Sequence, residues 1–147
     1  MQTRKMTRAD IDGAAKLEAT VLDGWSASGI FGALEADASR CFVAENGGEI
    51  IGFCAFSVVA NEANLDALSV SEAVRRQGVA RDLLSFALRD IYKDGVRNVF
   101  LEVRRQNAPA IALYTSLGFE AAGLRKNFYE KPSDDAIVMS KKLLLHG

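Results

Sequence analysis

Residues 61–119 open with Asn61-Glu62-Ala63-Asn64-Leu65-Asp66-Ala67-Leu68-Ser69-Val70 and continue, after four residues, with Arg75-Arg76-Gln77-Gly78-Val79-Ala80. The stretch reads as strand, glycine turn, helix, strand and second helix. Leu65 to Val70 fit a strand, and the glycine turn leads directly into an amphipathic run. Leu83, Leu84, Ala87, Leu88 and Ile91 fall on one helical face with Ala80, while Arg81, Asp82, Ser85 and Arg89 lie opposite. Asp94-Gly95 ends the helix as a glycine C-cap does. In residues 99–104 Phe100, Glu102 and Arg104 share one strand face, and Leu101 and Val103 the other. Asn107 caps a second helix with Pro109 in its first turn, where a missing N–H costs little. A strand–helix–strand unit of this length predicts a parallel pair joined by a right-handed crossover.

The turn before the first helix has a specific physical character. The leading amides of a helix lack internal partners and carry the positive end of its dipole, so they attract phosphate. Gly78 lets the backbone come close to an anion, Ala80 keeps the next position small, and Arg75, Arg76 and Arg81 add positive charge. On its own this pattern equally describes a tight strand–helix turn with solvated arginines.

Taken with its surroundings, Arg75-x-x-Gly78-x-Ala80 after a strand resembles the acyl-CoA pyrophosphate loop of the GNAT N-acetyltransferases. Leu101-Glu102-Val103-Arg104, Asn107 and Ala110-Ile111-Ala112-Leu113-Tyr114-x-x-Leu117-Gly118-Phe119 resemble that superfamily's second half. The combination is most similar to the RimI-type branch, whose members acetylate the N-terminal alanine of a small-subunit ribosomal protein. The resemblance implies acetyl-CoA as co-substrate. Leu68, Ser69 and Val70 would pair with its pantetheine arm, while Arg75, Arg76, Gln77, Gly78, Val79, Ala80 and Arg81 would hold its phosphates, with Asn107 nearby. There are departures: Ala80 stands where glycine is common, Leu68-Ser69-Val70 where Ile-Ala-Val is frequent, and Gln106 where serine often precedes Asn107.

The transfer implied is attack of an amine on a thioester, and a protonated amine cannot attack, so a base is required. Glu102, mid-strand beside apolar neighbours, is the candidate; a carboxylate there is costly to bury without a purpose or partner. Its structural alternative is an ion pair with Arg104 or another arginine. Tyr114 lies seven residues past Asn107, on nearly the same helical stripe. The resemblance assigns Glu102 as base and Tyr114 as the acid that protonates departing CoA; otherwise Tyr114 packs in the core.

Composition narrows the alternatives. At 147 residues, 49% hydrophobic and 25% charged, the chain is expected to form a single domain, residues 1–147, with a full core. A net charge of −1 leaves no electrostatic footprint for direct nucleic-acid binding. The longest apolar run, residues 50–60, is too short for a membrane helix, and the N-terminal residues lack the apolar core of a signal peptide. Cys41 and Cys54 sit in apolar runs as free thiols do, which predicts a reducing cytoplasm. The single histidine, His146, belongs to no motif, so histidine-based nucleophile systems and His-rich metal sites lose their support, and no metal is expected.

The front half completes an α/β expectation. Thr7 with Asp10 marks a helix start, and Ile11, Ala14, Ala15, Leu17, Val21 and Leu22 extend its apolar positions to about residue 22. Ser26 caps a short helix carrying Ile30, Phe31 and Leu34. Residues 41–44 and 48–60 read as strands joined at Asn46-Gly47-Gly48. Two more strands surround a polar turn at residues 131–135. The expected architecture is the GNAT fold, a central mixed and mostly antiparallel sheet with flanking helices. Trp25 is either core or part of an acceptor groove, because Trp-Ser precedes the second helix in RimI-like chains. Tyr129, in Asn127-Phe128-Tyr129, has the same two readings; the related pattern is Asn-Tyr-Tyr. The acceptor implied is a protein N-terminus. A GNAT acting on a small-molecule amine and a non-catalytic acetyl-CoA-binding module remain the alternatives.

Overall fold

Alternating apolar residues build the two layers of the core. The computed structural model describes residues 1–144. In chain order it contains β1 (Gln2–Lys5), a 3-10 turn (Arg8–Asp10), α1 (Ile11–Glu18), α2 (Ala27–Glu35), β2 (Ser39–Asn46) and β3 (Glu49–Val59). There follow β4 (Glu62–Val70), α3 (Val79–Lys93), β5 (Asn98–Arg104), α4 (Ala108–Ser116), β6 (Glu120–Glu130) and β7 (Ser133–Lys142). Along β2, Phe42 and Ala44 face the α3 layer while Cys41 and Val43 face the α1–α2 layer. On β3, Cys54 and Phe56 go one way and Phe53 and Ala55 the other. This is the two-residue period of a sheet covered on both faces.

The seven strands lie in the order β1-β2-β3-β4-β5-β7-β6. Only β4 and β5 are parallel; every other neighbouring pair is antiparallel. The mixed, mostly antiparallel sheet is therefore present, with α3 as the crossover between its parallel strands. The buried set of α3 is Val79, Leu83, Leu84, Ala87, Leu88 and Ile91, the predicted face except that Val79 rather than Ala80 is buried at its start. Gly95, at φ +102°, closes the helix, and Val96 N–H bonds back to Ile91 O at 3.1 Å. Among the described residues no helix is long and apolar enough to cross a membrane.

One irregularity in β4 shapes everything that follows. Ala55 pairs with Ala67, but the next residue, Phe56, pairs with Leu65, so Asp66 is an extra residue in the strand. Ala63 and Leu65 therefore face the α3 layer, whereas Ala67 turns to the α1 layer and Leu68 back to α3. The pairing of β4 with β5 stops at Leu65↔Leu101, while β5 continues beside β7 to Arg104↔Ala136. The two parallel strands thus part, and a gap opens through the sheet between residues 66–70 and residues 102–104.

Two expected element boundaries are corrected. The first helix ends at Glu18, and Leu22, expected on its apolar stripe, is 60% exposed in the loop beyond. The chain folds back across the helix end: Trp25 N–H donates to Glu18 Oε1 at 3.1 Å, and Gly24 passes close over Glu18. The polar turn expected over residues 131–135 is shorter, because β7 already starts at Ser133 and only Lys131 and Pro132 join it to β6. The C-terminal reading of residue 145 and of His146 falls outside the described residues.

Ahead of α1, the predicted Thr7–Asp10 pairing forms, with Thr7 N–H donating to Asp10 Oδ2 at 2.8 Å. Arg4 adds two hydrogen bonds to the same carboxylate, at 2.7 and 2.9 Å. The Arg4 guanidinium is the main reason that the Asp10 carboxyl is held below its ordinary range. The stabilisation is complete above the unfolded-state value near 3.8 and is lost as pH falls through the lower folded value. Asp10→Asn is expected to cost about 1–3 kcal/mol at pH 7, with the difference from wild type shrinking in urea melts run in acid.

Candidate active site

The helix amides come first. Gly78, at φ +82°, adopts the left-handed conformation that any Cβ strains, and it sits immediately before α3. A Cβ built on it meets no atom within 4 Å, so its outer side faces open space. The amides at the start of α3 lie next to it, a turn that suits a phosphate. Of the neighbouring arginines, Arg75 pairs with Glu72 at 3.5 Å and reaches Val70 O at 3.4 Å. Arg81 donates to Ser116 Oγ, linking α3 to the end of α4. Arg76 makes no ion pair among the described residues. Leu68, Ser69 and Val70 pair with β3 on one edge, and their other edge borders the gap.

Asn107 accepts a hydrogen bond from Ala110 N–H at 3.2 Å and so caps α4 as predicted. Tyr114, two turns on, belongs to the α3-side core and meets Phe119 edge-on, with ring centres 5.9 Å apart. Its hydroxyl makes no hydrogen bond within the described residues, and burial pushes the phenol well above its ordinary range. Such a group holds its proton at neutral pH and is available as a donor.

Glu102 comes from the opposite side. Leu101 and Val103 face the α3 layer, so Glu102 and Arg104 face the α1 layer. The Glu102 side chain is 25% exposed, and its nearest cation is Arg125 at 3.9 Å. Of the expected alternative, a pair with Arg104 or another arginine, the Arg104 form is absent and the Arg125 form is present as this long contact. Arg104 is buried and forks onto Asp23 of the α1–α2 loop, at 2.9 and 3.1 Å. It also donates to Pro132 O at 2.6 Å and lies over the Tyr129 ring, 4.3 Å from its centre. One guanidinium thus ties the α1–α2 loop to the β6–β7 turn.

Glu102, Tyr114, Asn107, Leu68 and Tyr129 all line one cleft of about 870 Å³. It passes through the sheet at the β4–β5 gap, with Tyr114 reaching it from the α4 side. Trp25 does not line it; its ring packs edge-on against Phe53 in the α1–α2 layer, with centres 6.3 Å apart. Glu18, Asp23, Asp66 and Asp134 also line the cleft and were missed in the sequence. Arg104 had one visible signal, its strand face shared with Glu102.

The sequence profile of the acetyltransferase (GNAT) family matches residues 10–119. The chain belongs to the GNAT family. Within that family it is 42% identical over 95 residues to the [ribosomal protein bS18]-alanine N-acetyltransferase of Escherichia coli K12, a match covering 63% of this chain and 64% of that protein. It is 33% identical over 143 residues to the N-alpha-acetyltransferase RimI of Mycobacterium tuberculosis, covering 92% of this chain and 89% of that one. The crystal structure of the ribosomal-protein-S18-alanine N-acetyltransferase from Escherichia coli superposes with a TM-score of 0.89 at 32% identity, over 99% of this chain and 96% of that one. The GNAT fold read from the motifs is thus the fold observed.

Proposed function

We propose that this GNAT chain is an acetyl-CoA-dependent N-acetyltransferase whose acceptor is the N-terminal α-amine of a protein, alanine first, of the ribosomal small-subunit kind. One observation carries it: the cleft through the split sheet has Glu102 on its α1 side and the Tyr114 hydroxyl arriving from the α4 side. Acetyl-CoA supplies an activated thioester and a thiol leaving group of pKa about 8.5. The α3 amides beside Gly78 bind its phosphates, and the free edge of Leu68 to Val70 aligns its arm. Glu102 accepts the proton that the amine loses as the C–N bond forms, directly or through water. Tyr114 donates a proton to sulfur as the C–S bond breaks. An α-amine with pKa about 8 costs roughly 1.4 kcal/mol to deprotonate at pH 7, against roughly 4.6 for lysine at about 10.4. A carboxylate base suits the easier amine, and similarity to the bS18-alanine and RimI enzymes favours a peptide bearing it. The buried thiols Cys41 and Cys54 support a cytoplasmic setting; burial pushes Cys41 up to about 11.

Competition among three acceptors tests the proposal: an alanine-starting peptide, its N-blocked form carrying a lysine, and free alanine. Acetylation located by mass spectrometry on the α-amine of the peptide is the expected outcome. Preference for the blocked lysine peptide contradicts it, and preference for free alanine makes the acceptor a small molecule. Gly78→Val, which fills the open space beside the α3 amides, is expected to weaken acetyl-CoA binding at least about tenfold, ~1.4 kcal/mol, in calorimetry on a variant shown to be folded. Unchanged affinity contradicts the phosphate assignment.

A further inference from the structure

A second cavity, of about 500 Å³, lies away from the cleft, between β1 and the outer face of α3. Met1 and Thr3 line it from the strand side, and Arg81, Asp82, Ser85 and Arg89 from the helix. Two residues past Thr3, Lys5 Nζ stands 3.9 Å from Asp90 Oδ2 of α3, so strand and helix run side by side in the same direction. Neither Asp82 nor Arg89 has an ion-pair partner among the described residues. Arg81 is engaged only with the uncharged Ser116 hydroxyl. The lining therefore carries two uncompensated arginines against one carboxylate.

The strand that borders this groove is open. β1 ends the sheet and pairs only with β2, so its other edge has no partner among the described residues. A row of unpaired main-chain groups is a template for one more strand. The charges beside it have a matching period. Arg81, Ser85 and Arg89 recur every four residues, which sets the two arginines about 12 Å apart along α3 with the serine midway. In an extended segment laid along β1, residues four apart share a face and lie roughly 13 Å apart. Carboxylates at that spacing meet the two arginines, each able to accept a pair of parallel N–H donors, and a hydroxyl between them meets Ser85.

We propose that the groove between β1 and α3 is a docking site for an extended acidic segment of a partner protein, which adds a strand to β1 and sets carboxylates four residues apart on Arg81 and Arg89. Charge complementarity selects that partner, and the main chain of β1 fixes its register. Asp82 keeps a run of consecutive acids from binding equally well. β2 and β3 separate β1 from β4, so the docked segment leaves the cleft open and recruits the enzyme without competing for its acceptor site.

Fluorescence anisotropy on the whole chain tests this with an N-blocked, labelled peptide containing Glu-Val-Thr-Val-Glu. Its counterpart Lys-Val-Thr-Val-Lys is expected to bind at least about tenfold more weakly at low salt. Arg89→Glu, at an exposed position outside the acetyl-transfer machinery, is expected to weaken the glutamate peptide by about tenfold and to prefer Glu-Val-Thr-Val-Lys, with acetyl-CoA affinity unchanged. Methylating the backbone nitrogens of alternate peptide residues, one set at a time, is expected to abolish binding for the set that faces β1. Retained binding with both sets methylated in turn overturns strand addition. Equal binding of the two parent peptides, no binding of either, or no effect of Arg89→Glu overturns the docking site. Tighter binding of a short single-stranded RNA, also lost in Arg89→Glu, overturns the protein partner and makes the groove a phosphate site.

Discussion

Replacing Glu102 by glutamine is expected to lower turnover by about 100-fold or more, with acetyl-CoA affinity nearly unchanged. Glutamine keeps the size and the hydrogen bonding but cannot take a proton from the amine. Of the arginine pairings that would give this carboxylate a structural role, only a long one is present. Arg104, its neighbour on the same strand face, is taken by Asp23, and Arg125 stands 3.9 Å away with a largely exposed side chain. Glu102 is therefore not consumed by a tight ion pair. Tyr114→Phe is the matching control on the other side of the gap, expected to lower turnover while leaving the ring packed against Phe119. Steady-state rates from about pH 6 to 9, bracketing the α-amine pKa, check both. Wild-type turnover in both variants would assign the proton transfers to other groups.

Gly24→Ala is expected to cost about 3 kcal/mol and lower the melting temperature by roughly 6–12 °C. The added methyl would lie 1.8 Å from the carbonyl oxygen of Glu18, a backbone atom with no rotamer in which to retreat. Relief requires moving the whole loop that carries Asp23 to Arg104 and Trp25 N–H to Glu18. The variant should thus lose peptide acetylation faster than it loses acetyl-CoA binding, since the α3 amides lie on the other side of the sheet. An unchanged melt would mean that the loop does not cross the helix end so closely.

What the sequence showed well were features written in short spacings. The apolar face of α3, the glycine pair between β2 and β3, the cap at Asn107 and the alternation of β5 each occupy a few neighbouring residues, and each is present. The features that make the cleft are long-range or compositionally silent. Asp66 is one extra residue in an otherwise ordinary strand, and nothing in Leu65-Asp66-Ala67 distinguishes a bulge from simple alternation. Asp23 and Arg104 are 81 positions apart, so their pairing depends on a tertiary fold that no local pattern encodes. Glu18 looks like the polar end of an amphipathic helix, and only the return of the chain at Gly24 buries it. Trp25 goes the other way: its Trp-Ser context pointed to a groove as readily as to core, and its ring packs on Phe53.

In the proposed function a single passage through the sheet is shared by the CoA arm on one side and the acceptor amine on the other. Calorimetric binding of a conjugate in which CoA is joined through its acetyl carbon to the α-amine of an alanine-starting peptide measures this directly. A conjugate spanning the β4–β5 gap gains the second site at high effective concentration and is expected to bind at least about 100-fold more tightly than CoA alone, ~2.7 kcal/mol. Equal affinity for the conjugate and for CoA would contradict it, because the peptide would then have no place across the gap from the thioester.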